Sequence, residues 1–257
     1  MLVLLSCAKT MSAVSKVKVP LTTSPRFQKE AAEIALQMSQ FSVDELERLL
    51  RVNAKIAVEN YKRYQAFHAE TTPELPALLA YTGIVFKRLN PKDFFAEDFG
   101  YAQEHLRLTS FCYGLLRPLD VIRAYRLEGD VVLPELGNQT LFSYWRSRLT
   151  DTFIEDIRSA GGILCNLASD EMKSLFDWKR VESEVRVVTP EFHVWKNGKL
   201  ATIVVYTKMS RGEMTRFILK NKIGNPEELK GFSWEGFEFD ESLSDERKLV
   251  FINGMGE

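Results

Sequence analysis

The sequence predicts a mixed α/β (α+β) fold, a single large domain over residues 1–257 in which a central sheet, flanked by helices, joins both chain ends. Three observations predict it. MLVLL at the start and ILCNL at residues 163–167 are short apolar runs typical of buried strands. FEFDESLSDERKLVFI, residues 237–252, resembles a final strand pair. Apolar residues at helical spacing fill much of the chain between these runs.

The first ten residues, MLVLLSCAKT, resemble the start of an export signal, but their apolar run is only Leu2 to Leu5. A signal peptide needs an apolar region of roughly 7–15 residues with basic residues before it. We therefore expect a short buried strand that ends at Ser6, with Lys9 and Thr10 just beyond it.

The next part of the chain is predicted to be a loop followed by helices. Residues 12–27 are polar and lack a clear period, which indicates a long loop. Residues 25–67 carry apolar side chains at helical spacing. This helical region is expected to break near Phe41, where Ser42 and Glu45 suit a capping box.

Two longer helices are expected further along, over residues 97–113 and 140–160. Gly161 and Gly162 are suited to end the second of them. Residues 168–171 are expected to begin another helix, directly after the predicted strand ILCNL.

The C-terminal third contains the clearest turn signal. Residues 191–206 read as two β-prone runs around Asn197-Gly198, a pair typical of a type I′ hairpin turn. A helix is expected from about Ser210. Asn225, followed by proline and two acids, is expected to cap a short helix.

Composition and charge exclude several classes of protein. The chain has a net charge of −1 and no apolar run near the roughly 20 residues that a transmembrane helix needs, so no membrane partner is expected. Its three cysteines and three histidines are scattered, and the sequence has no CxxC, HExxH, GxGxxG or P-loop pattern. We expect neither a metal nor a cofactor, and we expect a reducing, cytoplasmic compartment.

The first segment that could carry chemistry is SCAKT, residues 6–10. A lysine just past a strand end lies where open α/β sheets place ligands. Lys9 is therefore a candidate to bind phosphate or, if desolvated, to act as an amine nucleophile. The alternative is an ordinary solvated loop lysine.

The second segment, residues 111–128, sets three arginines among aromatic and apolar residues. Arg117, Arg123 and Arg126 suit bidentate phosphate binding with ring stacking. Equally, they suit structural ion pairs with Asp120 and Glu128.

The third segment is NLASDE, residues 166–171, at a strand-to-helix turn. Ser169 or Asp170 suits a helix cap. Asp170 and Glu171 are also candidates for a general acid or base, or for ligands of a hard cation.

The fourth segment, residues 206–224, is strongly basic. From Lys208 onward it contains a single acid, Glu213. The cations are Lys208, Arg211, Arg216, Lys220 and Lys222. Such a helical face is either solvated or turned toward phosphates.

Taken together, the segments resemble the YaaA peroxide-stress protein family. The matching motifs, in order, are S-x-A-K-T at residues 6–10, YTG at 81–83, YGLLRPLD at 113–120, YRLE at 125–128, NLASDE at 166–171, RG…RFI at 211–218 and GF…EGF at 231–237. The family pattern has proline where this chain has Cys7, which weakens any role for that thiol in peroxide chemistry.

The resemblance implies a cytoplasmic protein of the peroxide stress response that is associated with lowered free iron and binds DNA through a basic cleft. It also implies a helix-hairpin-helix element, which residues 42–67 match in outline although both motif glycines are replaced. The alternative for this segment is an ordinary pair of core helices. A tight hairpin requires a residue in the left-handed conformation. Asn53 tolerates that conformation more readily than Arg51 does. Lys55 would assist the backbone N–H groups of the second helix in meeting a phosphate.

These observations predict a basic cleft that binds double-stranded DNA mainly by charge. The candidate phosphate-binding residues are Lys9, Arg51, Asn53, Lys55, Arg117, Arg123, Arg126, Lys208, Arg211, Arg216 and Lys220. We expect one cleft near the strand ends to gather a subset of the charged residues: Lys9, Arg117, Arg126, Asp170, Arg211 and Arg216.

The alternative function is an enzyme that acts on nucleic acid or nucleotide, using Lys9 with Asp170 or Glu171. Direct iron handling is disfavoured, because the histidines and cysteines are not close in sequence. A monomer is expected.

Overall fold

The computed structural model describes residues 1–196 and 198–254 of the chain. The strands in these residues are Leu2–Leu5 (β1), Leu75–Pro76 (β2), Leu106–Ser110 (β3), Gly114–Leu116 (β4), Val121–Ile122 (β5), Val132–Leu133 (β6), Gln139–Thr140 (β7), Ile163–Asn166 (β8), Arg186–Lys196 (β9), Lys199–Ala201 (β10), Phe237–Asp240 (β11) and Lys248–Asn253 (β12).

The α-helices are Gln28–Met38 (α1), Val43–Leu50 (α2), Ala54–Ala66 (α3), Ala77–Ala80 (α4), Ile84–Leu89 (α5), Ala96–His105 (α6), Leu141–Ser159 (α7), Asp170–Lys173 (α8), Trp178–Glu184 (α9) and Val204–Asn221 (α10). Short 3-10 helices span Pro91–Asp93, Pro134–Leu136, Pro226–Gly231 and Glu241–Leu243.

A mixed eight-stranded sheet forms the centre of the molecule, in the order β11-β12-β9-β8-β1-β3-β4, with β10 paired to β9. β1 runs parallel to both β3 and β8, and Val3 lies opposite Leu106 on one side and Cys165 on the other. β9 runs parallel to β8 and β12. The first and last strands therefore belong to one sheet, which confirms the predicted single mixed α/β domain.

The N-terminal strand is central because its side chains are apolar throughout. All four residues of β1 are fully buried, as expected for a strand with both faces covered. The predicted strand at residues 163–167 is β8, and the predicted final strand pair is β11 and β12. The apolar runs thus correctly identified the middle and one edge of the sheet.

The predicted helical region after the long loop is confirmed as α1, α2 and α3. The break near Phe41 carries the expected capping box, in which the Ser42 hydroxyl accepts a bond from the Glu45 N–H and the Glu45 carboxylate accepts one from the Ser42 N–H. Helix α7 ends as predicted, with Gly161 and Gly162 at φ values of 103° and 77°. These features depend on contacts between near neighbours in the chain.

Three predicted elements are corrected by the structure. The helix expected over residues 97–113 ends at His105, because Leu106–Ser110 is recruited as β3 by pairing with β1. The second β-prone run shrinks to β10, and α10 begins at Val204 rather than near Ser210. β9 and β10 do pair antiparallel, while Asn197 of the predicted turn lies outside the described residues.

The helix predicted after Asn225 is a 3-10 helix with the expected cap. None of the helices in residues 1–196 and 198–254 combines the length and the apolarity needed to cross a membrane.

Candidate functional site

A cavity of about 320 Å³ lies at the carboxyl ends of the parallel strands β1, β3 and β8. Its lining includes the loop of residues 6–10 after β1, Phe111 after β3, and Leu167 with Ser169 after β8. The carboxyl ends of parallel strands meet at one edge of a sheet, and open α/β sheets bind ligands there. Gly83, residues from α5, α8 and α10, and the segment 125–127 complete the lining.

The loop that carries Lys9 is held on several sides. The Ser6 hydroxyl accepts a hydrogen bond of 2.9 Å from the Ser169 N–H, and the Cys7 N–H donates to the Thr109 hydroxyl at 3.2 Å. On the other side, the Thr82 N–H donates to the Thr10 carbonyl at 3.0 Å. The S-x-A-K-T and YTG motifs therefore form one structural unit.

Gly83 explains the third letter of the YTG motif. A Cβ atom at this position would lie 2.9 Å from the Cβ of Ala8, closer than such atoms approach in proteins. Gly212 acts similarly where α10 crosses α5, since a Cβ there would lie 2.3 Å from the Val85 carbonyl oxygen. This close packing positions Arg211 at the cavity.

Lys9, Glu128 and Arg126 form a chain of charges at the cavity. Lys9 Nζ lies 2.7 Å from one carboxylate oxygen of Glu128, and Arg126 Nη2 lies 3.7 Å from the other. The side chains of Glu128 and Arg126 are 9% and 17% exposed, whereas that of Lys9 is 57% exposed. The carboxylate compensates two cations and leaves the Lys9 side chain accessible.

Arg211 and Lys208 are the cations that α10 contributes to the lining. Arg211 Nε is buried and has no hydrogen-bond partner among the described residues. Burial lowers the pKa of the Arg211 guanidinium, and nearby Asp170 opposes that effect. An arginine stays cationic in proteins, so Arg211 presents a partly desolvated positive charge.

Two buried tyrosines fix the segment that carries Arg126. The Tyr125 hydroxyl is hydrogen-bonded to the Tyr81 hydroxyl at 2.8 Å and to the Ser110 hydroxyl at 2.7 Å. Burial raises the pKa of both phenols well above the usual range. They are therefore neutral and serve to position the backbone, a role that the sequence patterns did not reveal.

Cys7 also lines the cavity, next to the loop lysine. Burial raises the pKa of its thiol to about 12. The thiolate is the reactive form of cysteine, so Cys7 is a poor nucleophile at neutral pH.

The structure brings together part of the predicted set. Lys9, Arg126, Lys208, Arg211 and Glu171 line the cavity. Asp170 lies outside the lining, with its side chain 92% exposed and 2.7 Å from Lys173, whose hydrogen bond lowers the Asp170 pKa.

Arg117, Arg123, Arg216 and Lys220 lie outside the lining and are paired elsewhere. Arg117 binds the buried Asp120 carboxylate at 2.9 Å, and Arg123 binds Glu74 at 2.9 Å. On α10, Arg216 binds Asp93 and Lys220 binds Asp98. The structural alternative for Arg117, an ion pair with Asp120, is the observed arrangement.

The turn between α2 and α3 differs in detail from the expectation. Arg51 is the residue with left-handed backbone, at φ 51°, while Asn53 is extended and accepts a hydrogen bond of 3.0 Å from the Ile56 N–H. The Arg51 guanidinium binds the Asp130 carboxylate. Asparagine is more useful here as the N-cap of α3, so the strain falls on Arg51.

No group of three or more His, Cys, Asp or Glu side chains is arranged to hold a metal ion within residues 1–196 and 198–254.

The fold is that of a mixed α/β protein with a cavity at the carboxyl ends of parallel strands, whose lining includes Lys9, Arg126, Lys208 and Arg211. Within that class, the chain belongs to the YaaA peroxide stress protein family: the model described as "Peroxide stress protein YaaA" matches residues 1–243. Membership supports a role in peroxide stress.

Proteins similar to this chain come from several bacterial groups. A UPF0246 protein of Bacteroides thetaiotaomicron is 99% identical over 257 residues, which is 100% of both chains. A UPF0246 protein of Parabacteroides distasonis is 56% identical and covers 98% of this chain and 99% of its own. A UPF0246 protein of Saccharophagus degradans is 34% identical and covers 98% of each.

Proposed function

We propose that this protein acts in peroxide stress by binding double-stranded DNA through a basic surface centred on the cavity. One observation carries the proposal: among the described residues, the lining contains the cations Lys9, Arg126, Lys208 and Arg211 but only one acid, Glu171. Lysine and arginine side chains bind DNA by contacting phosphates and releasing counterions.

The α2–α3 pair extends this surface. The Tyr64 hydroxyl of α3 donates a 2.6 Å hydrogen bond to the Arg126 carbonyl, and Arg51 binds Asp130. Both contacts attach the helix pair to the segment that carries Arg126. In the proposal, Arg51, Asn53 and Lys55 form a helix-hairpin-helix-like contact to phosphates next to the cavity.

The remaining predicted phosphate contacts have a smaller part in the proposal. Arg117, Arg123, Arg216 and Lys220 each share an acid within the protein. They also lie outside the lining of the cavity, so in the proposal these side chains contribute at the edge of the surface.

Fluorescence anisotropy with a labelled duplex tests DNA binding. Log affinity should fall linearly with log salt concentration, with a slope that decreases in magnitude by about 0.9 for each phosphate contact removed. Lys208→Ala and Lys55→Ala should each reduce the slope, whereas Lys179→Ala, at an exposed position of α9 outside the lining, should not. Absence of binding at low salt, or an affinity that does not depend on salt concentration, would contradict the proposal.

The proposal also includes a cytoplasmic protein and a lowered level of free intracellular iron, as the family resemblance implies, and it includes a monomeric state as a separate expectation. Cells that lack the protein should then contain more chelatable ferric iron in electron paramagnetic resonance spectra. Restoring the wild-type gene should reverse the increase. An unchanged iron signal in cells that lack the protein would contradict a role in lowering free iron.

An enzyme acting on nucleic acid or nucleotide is the second proposal, because Lys9 and Glu171 line the same cavity. It has less support, since Glu128 holds Lys9 and Asp170 lies outside the lining. Borohydride trapping of a covalent product on abasic, oxidised or normal duplexes would support a Lys9 Schiff base. Failure on all three substrates would remove it.

A further inference from the structure

The buried polar atoms that lack partners are concentrated around the cavity. Among the described residues, five such side-chain atoms occur: Arg126 Nε, Glu128 Oε1, Asn166 Nδ2, Ser210 Oγ and Arg211 Nε. Arg126 and Arg211 line the cavity, and Glu128 contacts both Arg126 and Lys9. Asn166 and Ser210 are not part of the lining, so three of the five atoms belong to side chains at the cavity. Native proteins leave few buried polar groups without partners, so this concentration indicates a missing polar ligand.

The charges of the lining indicate that the ligand is an anion. Lys208 and Arg211 lie three residues apart on α10 and therefore on one helix face. Lys9 and Arg126 approach from two other segments. A guanidinium with an unused N–H group is suited to the oxygens of a phosphate, which it binds in a charge-assisted manner.

The rest of the lining indicates that the ligand is more than a phosphate ion. Apolar and aromatic side chains form much of the wall, including Ile84, Phe86, Phe111, Leu127 and Met172. The volume of about 320 Å³ falls at the lower end of the range for small-molecule sites, about 300–1,000 Å³. A compact, flat ring system attached to a phosphate would satisfy both the cations and the apolar wall.

We propose that the cavity binds one nucleoside monophosphate unit, with its phosphate at Arg211 and Lys208 and its base against the apolar wall. The unit comes either from a free nucleotide or from a nucleotide turned out of duplex DNA, as proteins that act on single bases require. The second source rests on the DNA binding proposed above.

Isothermal titration calorimetry distinguishes this ligand from simpler anions. The probes are the four deoxynucleoside monophosphates, the corresponding nucleosides and inorganic phosphate. At least one nucleotide should bind about tenfold or more tightly than both its nucleoside and phosphate. Phosphate that binds as tightly as every nucleotide would overturn the proposed base site.

Matched variants separate the two parts of the site. Arg211→Gln removes the cation and should weaken nucleotide binding by about tenfold or more. Ile84→Trp fills the apolar part while retaining every charge, and it should abolish nucleotide binding but not duplex binding. Lys179→Ala, at an exposed position of α9 outside the lining, is the control and should bind nucleotide as the wild type does. Circular dichroism and thermal unfolding establish that each variant is folded.

A DNA experiment identifies the source of the nucleotide. Affinities are compared for a fully paired duplex and for the same duplex with one unpaired nucleotide. A preference for the unpaired nucleotide that disappears in Ile84→Trp assigns the ligand to DNA, whereas binding of free nucleotide without that preference assigns it to the free pool. Either result supports the cavity ligand.

Failure of this inference is distinguishable from failure of DNA binding. If neither free nucleotide nor the unpaired duplex responds to Ile84→Trp, the nucleotide site is overturned. Salt-dependent binding of the paired duplex would still support the DNA-binding function. Conversely, nucleotide binding without duplex binding would retain the cavity ligand and remove the DNA source.

Discussion

Single residues at the cavity show how one acid organises two cations. Glu128 is nearly buried and joins the accessible Lys9 to the more deeply placed Arg126. Breaking such a pair by removing one member leaves an uncompensated charge in a partly desolvated place. The same carboxylate also reduces the positive potential that a phosphate would meet.

Glu128→Gln should therefore have two opposite effects. We expect the free energy of unfolding to fall by about 1–3 kcal/mol, because Arg126 loses its compensating charge. We expect affinity for duplex DNA to rise, because one acid leaves the basic surface. Urea unfolding and fluorescence anisotropy measure the two effects, with Glu155→Gln on exposed α7 surface as control. Unchanged stability would show that Glu128 contributes little to folding.

The cysteines belong to the residue scale as well. Burial raises the pKa of Cys7 and Cys165 to about 12 each, and it also raises that of Cys112. Cys112 and Cys165 are fully buried, so their alkylation by iodoacetamide at pH 7.5 should be at least ~100-fold slower in the folded protein than in guanidinium chloride. Mass spectrometry of each cysteine peptide checks this. Rapid modification of Cys112 or Cys165 in the folded state would contradict their burial, and rapid modification of the half-buried Cys7 would contradict its raised pKa.

At the scale of elements, the two halves of helix α10 have different roles. Its first half supplies Lys208 and Arg211 to the lining, and its second half is tied down by ion pairs. Arg216 makes two hydrogen bonds, of 2.8 and 2.6 Å, to the Asp93 carboxylate, and Lys220 makes one of 2.8 Å to Asp98. The basic face predicted from sequence is thus divided between an open and a paired half.

The Asp93–Arg216 pair should make stability depend on pH. The hydrogen bond from Arg216 lowers the Asp93 pKa below its usual value of 3.8, so the folded state favours the carboxylate. Its contribution is present above about pH 5 and is lost as pH falls through the lowered pKa. Asp93→Asn should cost about 0.5–1 kcal/mol at pH 7, since the pair is partly exposed, and the difference from wild type should vanish toward about pH 2.

Unfolding curves at several pH values test this dependence. Arg216→Ala serves as the partner variant: its effect should not add to that of Asp93→Asn, because both remove the same interaction. A difference that persists unchanged in acid would mean that Asp93 acts through something other than its charge.

At the scale of the whole molecule, the sheet joins the two ends of the chain into one core. β12 pairs with β9 over six residues and with β11 on its other side. Phe251 of β12 is fully buried, and its ring lies 5.5 Å from that of Phe192 and 5.6 Å from that of Phe232. An aromatic cluster at the C-terminal end of the sequence is therefore an integral part of the domain.

Phe251→Ala should destabilise the entire domain. A buried Phe→Ala change costs about 3–5 kcal/mol through lost transfer free energy and a residual cavity. Because the sheet is shared, we expect one cooperative transition shifted to lower denaturant concentration. Phe95→Ala, at a position 76% exposed, is the matched control and should change stability by less than about 1 kcal/mol. A separate early transition would instead indicate that the C-terminal strands unfold independently.

The elements that were predicted correctly depend on residues close in sequence, whereas β3, which was not, depends on a distant strand. The capping box of Ser42 and Glu45, the glycines after α7 and the apolar runs of β1 and β8 were all predicted, because each depends on residues close in sequence or on burial of the whole strand. β3 was predicted to be helical, because its pairing with β1 is established by residues about a hundred positions away. The spacing of apolar residues within one segment cannot reveal the distant strand with which that segment pairs.

The same distinction applies to the candidate site. Sequence alone predicted that the segments after β1 and β8 follow strands, and it showed which segments carry cations, because apolar runs and charges are local properties. Only the tertiary structure separated Arg126 and Arg211, which line the cavity, from Arg117 and Arg216, which pair with acids elsewhere. The physical reason is that β1 pairs in parallel with β3 and β8 across more than a hundred residues. Lys9 after β1 and Glu171 after β8 therefore meet only in the folded sheet, and Arg126 and Arg211 reach the same cavity from other segments.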